Sequence, residues 1–341
     1  MENRTVWIDN AKGIAIICVV LGHFGINDVL TDIIYTFHMP LFFVISGFFL
    51  TKNVQSQSVN TFLLKKMKRL LVPYLFFSIL LLLFYRSISF CPGFSKEYGH
   101  LDYVSSFFNI FIELKRATFV RCHLWFLSSL FLSNTIVWLV CRYFNFWSQV
   151  VIVMLLSSAA FVFNYIEPHT TIWFLDTSLA ACIYVFLGTK FLAIQSKHKM
   201  PLYINVLLLL ICILSSYINY KWYGEQGYVD MYNARYGNYI LFVISSLLGS
   251  YLIIQLSKHK CFDVLSVLGR NSLLIYCLHF IPLYICLRFI EMCTFSGILM
   301  VIIKLLCCIL ILAIIVCVKP FFSNYLPWAI GENSQKNNSV G

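Results

Sequence analysis

Charge is what this sequence has least of. Lys, Arg, Asp and Glu make up 11% of the 341 residues, and only 14 of them are acidic; a soluble domain carries roughly 25%. No long polar stretch separates the apolar runs, which excludes an independent soluble domain. No internal repeat is visible, so an inverted-repeat transporter gains no support. The first apolar run is followed by no small-residue cleavage site and is expected to remain as an anchor. There is no CxxC pair and no Cys/His cluster at zinc spacing, which argues against a structural metal or a dithiol redox site. The 13 cysteines fall mostly inside apolar runs and are expected to pack as small hydrophobes. Cys91 and Cys122 flank a polar loop, where a disulfide forms if that loop faces an oxidising compartment.

What the sequence does have is apolar length. Hydrophobic residues are 60% of the chain and mean hydropathy is +0.82. Ten stretches can cross a bilayer: 10–27, 36–51, 70–90, 121–141, 149–165, 172–192, 202–219, 237–256, 271–290 and 297–318. The expected fold is all-α, a polytopic membrane bundle over 1–320 with a short polar cytoplasmic tail, 321–341. Substantial loops are expected at 91–120 and 220–236. The net charge of +11 does not point to nucleic acid, because the basic residues sit between spans. Counted with the N-terminus inside, Lys and Arg favour the cytoplasmic segments about two to one, which predicts N-in and C-in.

The first span, "DNAKGIAIICVVLGH", carries Asp9, Lys12 and His23. Eleven residues separate Lys12 from His23, some 20° past three full helical turns, so both share a face about 16 Å apart along the axis. Asp9 lies one turn before Lys12 on that face. Ionisable groups inside a span face a cavity or a partner, and histidine is the side chain suited to moving a proton near neutral pH. The second span adds His38 near its outer end, with Ser46, Pro40 and Gly47 further along. The segment "LLKKMKRLLVPY" then places Lys65, Lys66, Lys68 and Arg69 at the inner surface, as a lipid anchor or as a clamp for a cytoplasmic polyanion.

Tyr276 and His279 share a face of the ninth span. Trp125 and His123 stand at the outer end of the fourth, and Asp176 lies in the sixth. The stretch "YINYKWYGEQGYVDMYNARYGNY" concentrates Trp222, Tyr223, Tyr228, Tyr232 and Tyr236. It reads as an interfacial aromatic belt or as a surface for stacking on sugar rings.

"WIDNAKGIAIICVVLGH", "FHMPLFFVISGF", "KKMKRLLVPY", "CHLWFLSSLF" and "GRNSLLIYCLHF" resemble, in order and spacing, the membrane acyltransferase 3 family, ten-span bacterial enzymes that typically O-acetylate surface polysaccharides. The first stretch is most similar to the fucose acetylase-like branch. By that resemblance His23 matches the essential histidine and Lys12 its basic partner. Lys65/Lys68 or Lys66/Arg69 match a cytoplasmic pair that is usually Arg-x-x-Arg, and the lysines lack the bidentate geometry of arginine.

The expected reaction moves acetyl from cytoplasmic acetyl-CoA to a sugar hydroxyl of a capsule, exopolysaccharide, O-antigen or lipid-linked glycan, at the bacterial cytoplasmic membrane. Lys65, Lys66, Lys68 and Arg69 would hold the donor phosphates. His23 would act as base or as acetyl carrier, with Lys12, Asp9 and His38 around it. Ser46, His123, Trp125, Asp176, Trp222, Tyr223, Tyr276 and His279 would line the substrate path. No metal is expected; lipids are expected partners, and self-association is left open. The rival readings are a glycan transporter or flippase, which needs no His23, and a polytopic glycosyltransferase using Asp28 and Asp32 in the first outer loop.

Overall fold

The computed structural model describes residues 6–50, 54–90, 102–112, 124–166, 171–195, 201–223, 228–258, 263–293 and 296–332. Its helices are α1 (Val6–Gly22), α2 (Asp28–Phe48), α3 (Val59–Lys66), α4 (Val72–Ile88), α5 (Tyr103–Ile112), α6 (Trp125–Tyr143), α7 (Phe146–Ile166), α8 (Leu175–Gln195), α9 (Leu202–Tyr223), α10 (Tyr239–Leu256), α11 (Asp263–Arg270), α12 (Ser272–Leu278), α13 (Phe280–Met292) and α14 (Gly297–Tyr325). Each of the ten expected stretches falls on a helix. Six helices are long and apolar enough to cross a membrane, seven if α12 and α13 count as one span bent by 52°.

Burial sorts these helices. α6 is 67% buried over its apolar window, whereas α9 and α14 are 17% and 22% buried. The outer helices turn Leu207, Leu210, Leu214, Leu306, Ile309 and Leu310 outward, a surface suited to lipid and not to water. Central helices bury serines that bond to their own turns: Ser128 Oγ donates to Trp125 O at 2.8 Å and Ser178 Oγ to Phe174 O at 2.7 Å. The protein is a multi-pass membrane protein with an all-helical fold.

Two helix crossings set the site. α2 meets α8 at Gly47 and Gly188, where a Cβ on either glycine would overlap backbone of the other helix. α1 meets α11 the same way, Gly13 against Leu265 and Gly269 against the Asp9 carbonyl. Small residues permit such backbone approach between membrane helices. The second crossing carries Lys12 and Arg270, the chain neighbours of Gly13 and Gly269, to one place.

Prolines shape the rest. Pro73 has no N–H to offer the Arg69 carbonyl, and the helix there opens into a π-turn at Met67–Leu71, with the Val72 N–H reaching Met67 O. Pro282 likewise withholds a donor from Leu278, and the chain bends between α12 and α13, at His279.

Four expectations change. α2 starts at Asp28, well before residue 36, because Asn27 caps it by accepting from the Val29 and Leu30 N–H groups at 2.9 and 3.3 Å. The loop expected over 91–120 contains α5, whose Ile110 is buried and whose carbonyl at that residue accepts from Tyr74 Oη at 2.8 Å; its apolar residues recur at helical spacing. α14 continues through Pro320 to Tyr325, as membrane helices tolerate. The segment after it, expected as a tail from 321 on, forms a 3₁₀ turn at Pro327–Ile330 against the rest of the fold, with Ala329 and Ile330 buried. Cys91 and Cys122 lie outside the described residues.

Candidate active site

α1 borders two cavities. One, at the His23 end of α1 and named outer after the orientation expected from sequence, has about 280 Å³ and is lined by His23, Tyr35, His38, Trp125, Tyr228, Asp230, Tyr232, Asn233, Tyr276 and Phe280 with Val19, Met39 and Met231. The inner one, of about 360 Å³, takes Lys12 from the same helix together with Ser46, Lys66, Arg69, Arg270, Ser272, Lys319 and Glu332. Tyr276 lines both.

His23, at the end of α1, is exposed and faces the outer cavity. Its ring stacks on His279, with centroids 5.3 Å apart and planes at 28°, and meets Phe280 edge-on at 4.8 Å. His279 is fully buried; its Nδ1 lies 2.8 Å from Tyr276 O and 3.2 Å from Ile275 O. A carbonyl only accepts, so that nitrogen carries the proton and Nε2 is the bare one. Nε2 has no hydrogen-bond partner among the described residues. The bend at His279 therefore sets its ring against His23, which it orients by packing. His38 is fixed in the same way, with Nδ1 2.6 Å from Ile34 O, which leaves its Nε2 as acceptor. Tyr35 packs between His38 and Tyr228, at 5.0 and 4.6 Å.

Residues 228–236 form one wall of this cavity, and a backbone bridge joins Asp230 to Arg235 within it. Asp32 fastens it: its carboxylate accepts from Val229 N at 3.2 Å and from Ser216 Oγ at 2.9 Å. Asp32 is thereby occupied in holding the loop, and neither it nor Asp28 is among the described residues lining these two cavities.

Cations dominate the inner cavity. Lys12 Nζ lies 5.3 Å from the centre of the Phe49 ring, and Lys66 and Arg69 face in from either side of the start of the π-turn. Lys319 is 3.6 Å from Glu332, whose other oxygen accepts from Ser323 Oγ at 3.0 Å. Ser46 Oγ donates to Asn134 Oδ1 at 2.9 Å. Tyr276, on the shared wall, has its hydroxyl held by the Phe126 N–H at 3.2 Å, near the start of α6.

Of the residues expected at the site, His23, His38, Trp125 and Tyr276 border the outer cavity and Lys12, Ser46, Lys66, Arg69 and Tyr276 the inner one; His279 stands behind His23. Lys65 and Lys68 are exposed and line neither, being turned off the face that carries Lys66 and Arg69. Asp9 is buried where α1 crosses α11 and lines neither. Asp176 is buried and accepts from Thr171 Oγ1 at 2.7 Å, a contact that ties the segment before α8 to its first turn. Trp222 is 70% exposed at the end of α9, away from both cavities, as an interfacial aromatic would be. Tyr236 is core. His123 and the Tyr223 side chain lie outside the described residues. Arg270, Lys319, Glu332, Asp230, Asn233 and Tyr35 were not singled out from sequence. Arg270 could have been, as the basic residue of the "GRNSLL" stretch beside a close helix crossing. Among the described residues no group of three or more His, Cys, Asp or Glu side chains is placed to hold a metal.

The family model described as an acyltransferase domain, of the acyltransferase 3 type, matches residues 5–319. The chain belongs to the acyltransferase 3 family. It is an acyltransferase, which sets aside the transporter and glycosyltransferase readings. No curated protein and no solved structure matches it.

Proposed function

We propose that this acyltransferase moves acetyl from cytoplasmic acetyl-CoA to a sugar hydroxyl of a surface or lipid-linked glycan, as a ten-span, N-in, C-in protein of the bacterial cytoplasmic membrane. The observation that carries the reading is the pair of cavities divided at Tyr276: one set with five cationic side chains, the other with His23 and His38. A donor with several phosphates and a long thin arm fits the first. Arg69 and Arg270 offer forked donors, and Lys12, Lys66 and Lys319 add point charges. The arm passes the wall at Tyr276 and brings its thioester to His23.

In the outer cavity His23 takes the proton of the acceptor hydroxyl as its oxygen attacks the thioester carbonyl carbon. The tetrahedral intermediate collapses, the C–S bond breaks, and the coenzyme thiolate leaves. It recovers the proton from the imidazolium, so the products are an acetyl ester and free thiol. General-base assistance of this kind is worth about 10²–10⁴-fold. His279, through its ring contact with His23, is a positioning residue.

The test is transfer of labelled acetyl from acetyl-CoA to surface glycan by membranes carrying the native chain or His23→Ala at equal abundance. Label with the native chain and none with the variant is expected. Equal label in both removes His23 from the chemistry. No label in either overturns the donor and acceptor assignment.

A further inference from the structure

The outer cavity contains one charged side chain among its described lining residues, Asp230, and no lysine or arginine. Its turn holds that carboxylate in place. Oδ1 accepts from the Tyr232 N–H at 2.9 Å and the Asn233 N–H at 3.4 Å, and Oδ2 accepts from Asn233 Nδ2 at 2.5 Å. A carboxylate offers about four acceptor positions, so the local turn does not exhaust it. Removal from bulk water raises the Asp230 carboxyl above the ordinary range, while the turn's donors and Arg235 pull it down. An ionised carboxylate in such a place gains strongly from further hydroxyl donors.

The lining beside it is rich in aromatic rings. Trp125 and Tyr232 meet with centroids 6.4 Å apart and Tyr35 and Tyr228 with centroids 4.6 Å apart, and all four line the cavity. Flat rings beside a fixed acceptor suit a ligand with apolar C–H faces and a rim of hydroxyl groups. A ligand carrying its own negative charge would meet Asp230 with no lysine or arginine on the described lining to offset it, Arg235 acting on Asp230 from outside the cavity, and like charges in a site of low dielectric are costly.

We propose that the acetylated ring is an uncharged sugar, gripped through its hydroxyl groups by Asp230 and stacked on the Trp125–Tyr232 wall, and that Asp230 rejects rings bearing a carboxylate, sulfate or phosphate. This rests on the outer cavity being the acceptor site. The restriction concerns the ring inside the cavity; charge elsewhere on the polymer is unaffected. Specificity of this kind comes from what the site repels as much as from what it binds.

The experiment uses membranes holding the full chain, labelled acetyl-CoA and the cell's own surface glycan. After transfer the glycan is hydrolysed under conditions that keep the ester, and the labelled sugars are separated by charge. Label on neutral rings is expected. Label on acidic rings overturns the proposal and leaves the acetyltransferase reading standing, whereas label on no glycan fraction overturns both. Asp230→Asn supplies the second reading. It should raise the acceptor KM about 10- to 100-fold, the worth of a hydrogen bond to a charged group, with the donor KM unmoved. An unchanged acceptor KM, or a donor KM raised equally, removes Asp230 from acceptor binding. Should this variant fail to fold, the charge of the ring labelled by the native chain decides the matter alone.

Discussion

The inner and outer cavities share four helices, α1, α2, α6 and α12, and one lining residue, Tyr276, yet their charged groups are opposite. Among the described lining residues the inner one sets five cations against one carboxylate, Glu332, on a partly apolar wall; the outer one has two imidazoles, aromatic rings and one carboxylate, Asp230. Their supports differ as well. The inner cations come from α1, the end of α3, the π-turn, α11 and α14; a glycine crossing joins α1 to α11, and Pro73 opens the π-turn. The outer side chains are held by hydrogen bonds to main chain, such as His38 on Ile34 O and Asp230 within its turn. An attraction between multiple charges tolerates imprecise placement, because Coulomb energy falls slowly with distance. Proton transfer does not, since base and hydroxyl must come within hydrogen-bond reach. The two cavities therefore do different work, one gathering the donor and the other aligning the reaction.

That division can be broken most directly at His23. His23→Ala should lower kcat about 10²–10⁴-fold while leaving the KM for acetyl-CoA near its native value, measured as initial rates against donor concentration. A donor KM that rises in step with the loss of kcat would mean that the outer cavity also binds the donor.

A smaller effect is expected on the inner side. Lys66→Ala with Arg69→Ala should raise the donor KM about tenfold or more with kcat maintained, as removal of uniform binding does. Lys65→Ala with Lys68→Ala should change it less than about twofold, since both side chains are exposed and off the cavity. Equal effects from the two pairs would show that the cluster acts as a diffuse surface charge and not through two placed residues.

These two pairs also mark where the sequence stopped being readable. The family resemblance left Lys65 with Lys68 or Lys66 with Arg69 as the matching pair, but the choice between them belongs to tertiary packing, and the π-turn before Pro73 is part of it. The Lys12–His23 stripe was legible because both residues lie on a single helix with a fixed period. Tyr276 and His279 were legible for the same reason, though nothing local told that the chain bends between them and Phe280. Ten apolar stretches located the long helices, but the short α3 and α11 lie between them and α5 was hidden in a segment read as loop. Asp230, Arg270, Lys319 and Glu332 reach the cavities from remote positions in the chain, and no period links them to His23. Trp222 and Asp176 misled for the opposite reason: residue type suggested a ligand wall, and position made one a surface aromatic and the other a local acceptor.

The smallest expected effect sharpens the contrast from the other direction. Glu332 is the one carboxylate among the described residues lining the inner cavity, 3.6 Å from Lys319 and bonded to Ser323. Both charged partners are partly exposed, so their pairing is weak, of the order of 0.2–1 kcal/mol. If the inner cavity gathers an anion by summed charge, removing that carboxylate should help. Glu332→Gln keeps the shape and frees Lys319, and it should lower the donor KM by about 1.5- to 5-fold, more at low ionic strength than at high, with kcat unchanged. The same change applied to the outer carboxylate, Asp230→Asn, should weaken the acceptor and spare the donor. Two carboxylate-to-amide substitutions with opposite signs on two different substrates would separate the cavities by function. A Glu332→Gln variant that binds acetyl-CoA less well would instead make the 3₁₀ turn and the residues after it a structural brace for the inner mouth, with its charge incidental.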